Sequence, residues 1–152
     1  MEARCYEMTL PLTDLASTSY REGLDYRTGG PIRVHYRSGH IEHIEPIALT
    51  DSPRPGEPLP WIAPGLVDIQ INGCFGIDFN STQTTEQDVH TATRKLWEAG
   101  VTTYYPTVIT NSDEAIEGML SVIAAARRAD PLTAASIAGI HLEGPFISPQ
   151  DG

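Results

Sequence analysis

Leu66-Val67-Asp68-Ile69-Gln70-Ile71, closed by Asn72-Gly73, is the stretch that decides the fold. Six residues rich in Leu, Val and Ile, too few for a helix and ended by a turn-forming pair, read as a strand. Two more strand-like runs follow. Val101 to Ile109 is rich in Val, Thr and Tyr and predicts a second strand. Ala135 to Leu142 predicts a third. Between the first two, Val89, Ala92, Leu96 and Ala99 recur at helical spacing. They predict a helix over 85–99, with Thr84 and Gln87 as a capping box and Gly100 as its stop. A second helix is predicted over 111–128, with Asn111 and Glu114 at its start. Its apolar face is Ile116, Met119, Leu120 and Ile123, and Arg127-Arg128 sits at the negative end of its dipole.

Apolar strands alternating with amphipathic helices mean a parallel sheet covered by helices. Gln70, Thr107 and Glu143 fall at three successive strand ends, 37 and 36 residues apart. That spacing suits a (β/α)₈ barrel and also an open doubly wound sheet. No Gly-x-Gly-x-x-Gly follows the first strand, so a dinucleotide site has little support.

Working back toward the N-terminus, the pattern changes near residue 60. Ile32-Arg33-Val34-His35-Tyr36 alternates, Ser38-Gly39 turns, and Ile41-Glu42-His43-Ile44 resumes, which reads as a hairpin. Pro53, Pro55, Pro58 and Pro60 form a connector that can be neither helix nor central strand. The expected domains are therefore residues 1–62, a small β portion with its connector, and residues 63–152, the strand–helix portion. A net charge of −10 lacks the basic face that nucleic acid or an anionic membrane would need, so neither is an expected partner. Two cysteines, Cys5 and Cys74, make no disulfide framework. With no signal pattern and no long apolar run, the expected location is cytoplasmic.

The chemistry concentrates at the strand ends. The apolar run Ile137-Ala138-Gly139-Ile140 leads into His141-Leu142-Glu143-Gly144-Pro145-Phe146, which delivers a carboxylate to the rim of the sheet. An anionic oxygen there is a candidate metal ligand. Gln70 and Asn72, two apart, share a strand face and offer amides to a metal, a water or a substrate oxygen; their alternative role is loop hydrogen bonding. His141 shares the face of Glu143 and is a candidate near the metal. His35, His40 and His43 belong to the hairpin and are expected to be solvated, and His90 lies on a helix away from the strand ends. No Gly-x-Ser-x-Gly elbow is present and Cys74 has no evident base, so covalent catalysis is disfavoured.

These residues resemble a known family. Ala63-Pro64-Gly65-Leu66-Val67-Asp68 resembles the entry to the first barrel strand of the amidohydrolase superfamily. Most members then carry His-x-His, where this chain has Gln70-Ile71-Asn72 and then Gly73-Cys74. That replacement, with Gly100-Val101-Thr102-Thr103, Pro106-Thr107 and His141-Leu142-Glu143-Gly144-Pro145, is similar to the N-acetylglucosamine-6-phosphate deacetylases.

The resemblance implies an α/β fold: an incomplete (β/α)₈ TIM-type barrel, here its first three strands, preceded by part of a small β-sandwich. It implies hydrolysis of the acetamide of N-acetylglucosamine 6-phosphate, a small-molecule sugar phosphate, to glucosamine 6-phosphate and acetate. It implies Glu143 as metal ligand, with Gln70 and Asn72 in place of the histidine pair, and therefore one divalent ion, zinc or iron. The remaining ligands and the general base are expected beyond Gly152, so residues 1–152 alone are expected to be inactive and the complete protein to be a homo-oligomer. The rival readings are an amidohydrolase acting on a cyclic amide, which would be expected to keep histidine at 70 and 72, and an inert fragment or binding module.

Overall fold

The structure is a computed structural model that describes residues 19–51, 58–144 and 150. Cys5, Pro53, Pro55 and the Pro145-Phe146 end of the third-strand motif lie outside the described residues. The chain divides into two compact units, Met1–Pro64 and Gly65–Gly152. Among the described residues, no helix is long and apolar enough to cross a membrane.

The first unit is a four-stranded sheet. Strands β1 (Ser19–Asp25), β2 (Pro31–Arg37) and β3 (His40–Pro46) form an antiparallel meander, and β4 (Trp61–Ile62) adds parallel to β1. The predicted hairpin is β2–β3. Ser38 and Gly39 both take positive φ, 49° and 78°, which is the backbone that a two-residue hairpin turn needs. Strands β1 and β4 were not anticipated. The first meets β2 through pairs such as Tyr20↔His35 and Glu22↔Arg33. Arg33 donates to Glu22 at 2.6 Å and to Glu45 at 3.4 Å, tying the central strand to both neighbours by opposite charges.

The second unit is α/β. Its main sheet holds β5 (Leu66–Ile71), β8 (Val101–Ile109) and β9 (His141–Glu143), all parallel, in the order β5-β8-β9. A small hairpin of β6 (Gly73–Cys74) and β7 (Ile77–Asp78) leaves the end of β5. Its turn is Phe75-Gly76, both at positive φ, rather than the expected Asn72-Gly73. Gly73 is instead a strand residue whose missing side chain makes room for the carbonyl of Ile77.

Helix α1 (Glu86–Glu98) follows, then α2 (Asp113–Ala129) and α3 (Pro131–Ser136). The caps of α1 and α2 each sit one residue from the expected place. The capping box is Thr85 with Asp88, because the Thr84 hydroxyl donates to the carbonyl of Asp78 at 2.5 Å. Helix α2 is capped by Ser112, because Asn111 spends its side-chain oxygen on the next N–H. Ala135 and Ser136 belong to α3, not to the third strand. Asp130 caps that short helix and Pro131 fills its first position, a start signal that the apolar content of the segment obscured. The strand proper is only His141–Glu143, preceded by a single bridge from Ile137 to Tyr104.

The helices bury one common core. Val89, Ala92 and Leu96 of α1 and Ile116, Met119, Ile123 and Ala126 of α2 pack with Tyr104, Val108, Ile137, Phe79 and Ile71. Ala99, expected on this face, is exposed at the cap, and Thr93 takes an inward place. Beneath α1 and α3 the core carries a polar chain. The Tyr104 hydroxyl meets Thr93 Oγ1 at 2.8 Å, and Thr133 Oγ1 meets His90 Nδ1 at 2.9 Å. Leu66, Val67 and Ile69 of β5 face solvent, with Ile69 73% exposed. Ile71 is instead buried in the core, and Ile140 packs partly against that core.

Candidate functional site

Parallel strands deliver their carboxyl ends to one edge of the sheet, and loops leaving that edge carry side chains free of ladder duty. Gln70 lies one residue before the end of β5 and Glu143 at the end of β9, with β8 between them. Their side chains meet across the intervening strand: Gln70 Nε2 donates to Glu143 Oε2 at 3.0 Å. An amide bound in this way fixes the direction of one carboxylate oxygen. The backbone N–H of Gln70 is held by Asp68 Oδ1 at 3.1 Å, which stiffens the strand end from the other side.

Asn72 is placed differently from expectation. β5 ends at Ile71, and Asn72 sits in the bend leading to β6, so the strand alternation that would align it with Gln70 no longer applies. Its carbonyl accepts from Phe79 N at 2.9 Å and from Asn80 Nδ2 at 3.3 Å, while its side chain is exposed. His141 opens β9, half-buried and in register with Thr107. His141 Nδ1 and the buried Thr107 Oγ1 lie 3.5 Å apart, a long contact that orients the ring toward β8.

Asn80 is the residue that sequence reading missed. Its Oδ1 accepts from Ile109 N at 2.7 Å, and its Nδ2 donates to Thr107 O at 3.0 Å and to Asn72 O at 3.3 Å. One side chain therefore fastens the ends of β5 and β8 together. An asparagine in a turn carries no sequence signal that separates this role from ordinary loop chemistry.

Cys74 is half-buried, and burial, with the charge of Asp68 adding to it, pushes its thiol up. A protonated thiol is a poor nucleophile. His90 binds Thr133 and lies 3.7 Å from Asp130, so it serves the helix layer. Of the hairpin histidines, His40 and His43 are exposed as expected. His35 is only partly solvated: it stacks on His43 with ring centroids 4.0 Å apart and its side chain is 18% exposed.

No known family profile matches the chain. Several curated proteins do. The N-acetylglucosamine-6-phosphate deacetylase of Rattus norvegicus is 40% identical over 88 residues, 57% of this chain and 21% of that protein. The Homo sapiens protein of the same name is 38% identical over the same shares, and the Bacillus subtilis one is 34% identical over 59% of this chain and 22% of its own. The chain thus spans about a fifth of the length of the curated relatives it matches. Solved structures agree. The Thermotoga maritima N-acetylglucosamine-6-phosphate deacetylase superposes with a TM-score of 0.64 at 26% identity, covering 86% of this chain and 33% of that one. A Mycobacterium smegmatis enzyme of that name, a mutant in complex with N-acetyl-D-glucosamine-6-phosphate, gives 0.62 at 25% identity over 87% and 34%. In sequence and in structure, this chain is similar to one portion of the N-acetylglucosamine-6-phosphate deacetylases.

Proposed function

We propose that these residues form part of an enzyme that hydrolyses the acetamide of N-acetylglucosamine 6-phosphate to glucosamine 6-phosphate and acetate. The observation that carries the reading is the bond between Gln70 and Glu143 at the carboxyl edge of parallel strands, in a chain similar to proteins of that name. The strand order β5-β8-β9 follows the chain order without a reversal. That order suits the first three strands of a (β/α)₈ barrel and also the first half of a doubly wound sheet; the likeness to the deacetylase structures favours assigning residues 63–152 to the barrel. Residues 1–62 are then part of a small β-sandwich.

The donor set fits a share in one divalent ion. Glu143 brings the anionic oxygen, and His141 and the amides of Gln70 and Asn72 stand on or beside the same strand ends, so these residues offer part of a mononuclear site rather than two adjacent ones. Zinc or iron suits that mixture. Such an ion, when bound, supplies an activated water and polarises the amide carbonyl. Within this chain, Gln70 holds the Glu143 carboxylate in one direction, Thr107 steadies the His141 ring, and Asn80 keeps the β5 and β8 ends in register. The Asn72 amide, exposed in the bend after β5, would offer a hydrogen bond to a substrate oxygen.

The reading is tested with protein expressed from its full reading frame and supplied with zinc or ferrous iron. Acetate release should be rapid from N-acetylglucosamine 6-phosphate, slow from the unphosphorylated sugar and absent from cyclic amides such as hydantoins. Hydrolysis of the cyclic amide alone would replace the proposal with its rival.

A further inference from the structure

The hairpin of the first unit carries a cluster that the deacetylase reading does not use. His35 on β2 stands directly opposite His43 on β3, and Glu45 follows His43 by two on the same strand. A strand alternates faces, so His43 and Glu45 project to one side, and a cross-strand pair brings His35 there too. The ligand atoms of all three lie within 4.8 Å of one another. The two imidazoles stack at 4.0 Å with a 12° tilt, and His35 Nε2 lies 3.0 Å from Glu45 Oε1.

We propose that His35, His43 and Glu45 bind one divalent ion of the imidazole-preferring class, zinc, nickel or copper. Two ring nitrogens with one carboxylate suit those ions better than magnesium or calcium, which take oxygen. Zinc bonds of 2.0–2.1 Å place tetrahedral ligands about 3.3 Å apart. The difference from the observed separation is closed by turning side chains, because opposed residues already hold their Cβ atoms about 5 Å apart. Three protein ligands leave the fourth position to water. The strand backbone is prepared for this. His35 pairs with His43 but Tyr36 pairs with Ile41, so Glu42 is an extra residue in β3 beside the cluster, and such a bulge re-aims the neighbouring side chains.

Nearby charge is compatible. Arg33 lies 3.4 Å from Glu45 Oε1 but makes its shorter contact, 2.6 Å, with Glu22. The ion would tie β2 to β3 in the first unit, whereas Glu143 belongs to the second.

The test uses protein from the full reading frame, titrated with Zn²⁺ and with Co²⁺ as a spectroscopic probe. Wild type should bind one ion more per chain than a His35→Gln/His43→Gln double variant, and each single replacement should weaken that ion at least about tenfold, the lower figure for losing even an outer-shell partner. His40→Gln, in the same hairpin but outside the cluster, should change nothing. A second measurement needs no variant: zinc should slow diethyl pyrocarbonate modification of His35 and His43, read by peptide mass spectrometry, and leave His40 as reactive as before. Equal ion counts in wild type and double variant, or modification rates indifferent to zinc, would overturn the site.

Discussion

Gln70 and Glu143, 73 residues apart in sequence and on strands that are not neighbours, share a 3.0 Å hydrogen bond across β8. The bond spans the full width of the parallel sheet. It makes the direction of the Glu143 carboxylate depend on the identity of residue 70, and so links the sequence departure at that position to the chemistry proposed for the strand ends.

Replacing Gln70 with Leu removes the amide that donates to Glu143 and leaves the strand intact. Metal affinity of the full-length protein should fall by about 10–100-fold, as for other residues that orient a ligand. Equilibrium dialysis against zinc measures it, with circular dichroism to show that the fold is retained. An unaltered affinity would mean that Gln70 does not position Glu143.

Asn80 makes three bonds to the backbone at the ends of β5 and β8. Asn80→Ala leaves Ile109 N and the Thr107 carbonyl without this partner, which should cost about 1–3 kcal/mol. Asn80→Asp keeps the acceptor for Ile109 but turns a negative oxygen toward two carbonyls, and should be no better. Urea unfolding midpoints decide between this and a merely decorative loop residue, for which both changes would be neutral.

Burial pushes the Tyr104 phenol up to about 12, against an ordinary value near 10. The unfolded chain therefore releases this proton first as pH rises. The contribution is intact below pH 10 and is lost as pH climbs toward 12, with a slope of at most about 1.4 kcal/mol per pH unit. Tyr104→Phe should flatten that part of the stability curve relative to wild type while losing the bond to Thr93 at every pH. Parallel curves from pH 9 to 12 would show that the phenol is not protected.

Leu66, Val67, Ile69 and Leu142 are 61%, 59%, 73% and 44% exposed. Large apolar side chains clustered on two edge strands invite association. Residues 1–152 expressed by themselves should bind a hydrophobic dye, self-associate and release no acetate. A monomer with deacetylase activity would contradict the assignment of these strands to part of a barrel.

Most of the second unit was legible because its signals are local. β5 and β8 were marked by β-branched and aromatic runs, and α1 and α2 by apolar residues at helical spacing. The errors came where two local signals competed. Thr84 and Thr85 both offer a cap, and only the contact of Thr84 with Asp78 excludes it. Ala135 and Ser136 look like a strand start until Asp130-Pro131 is read as a helix start. In the first unit, β1 pairs with strands on either side of it, and such partners are invisible in a seven-residue window. At the candidate site, the sequence marked Gln70 and Glu143 separately, but their contact depends on β8 lying between their strands. Asn80 and the His35–His43 stack are likewise products of pairing, not of spacing.

The most direct test of the account is the metal content and acetate release of a Glu143→Gln variant of the full-length protein. The substitution preserves shape and removes one negative charge from the proposed ligand set. If Glu143 holds the ion, bound zinc or iron per chain should fall, and hydrolysis of N-acetylglucosamine 6-phosphate should drop by at least about 100-fold, beyond the loss expected for an outer-shell partner. A variant that keeps both its metal and its rate would contradict the assignment of the strand-end site.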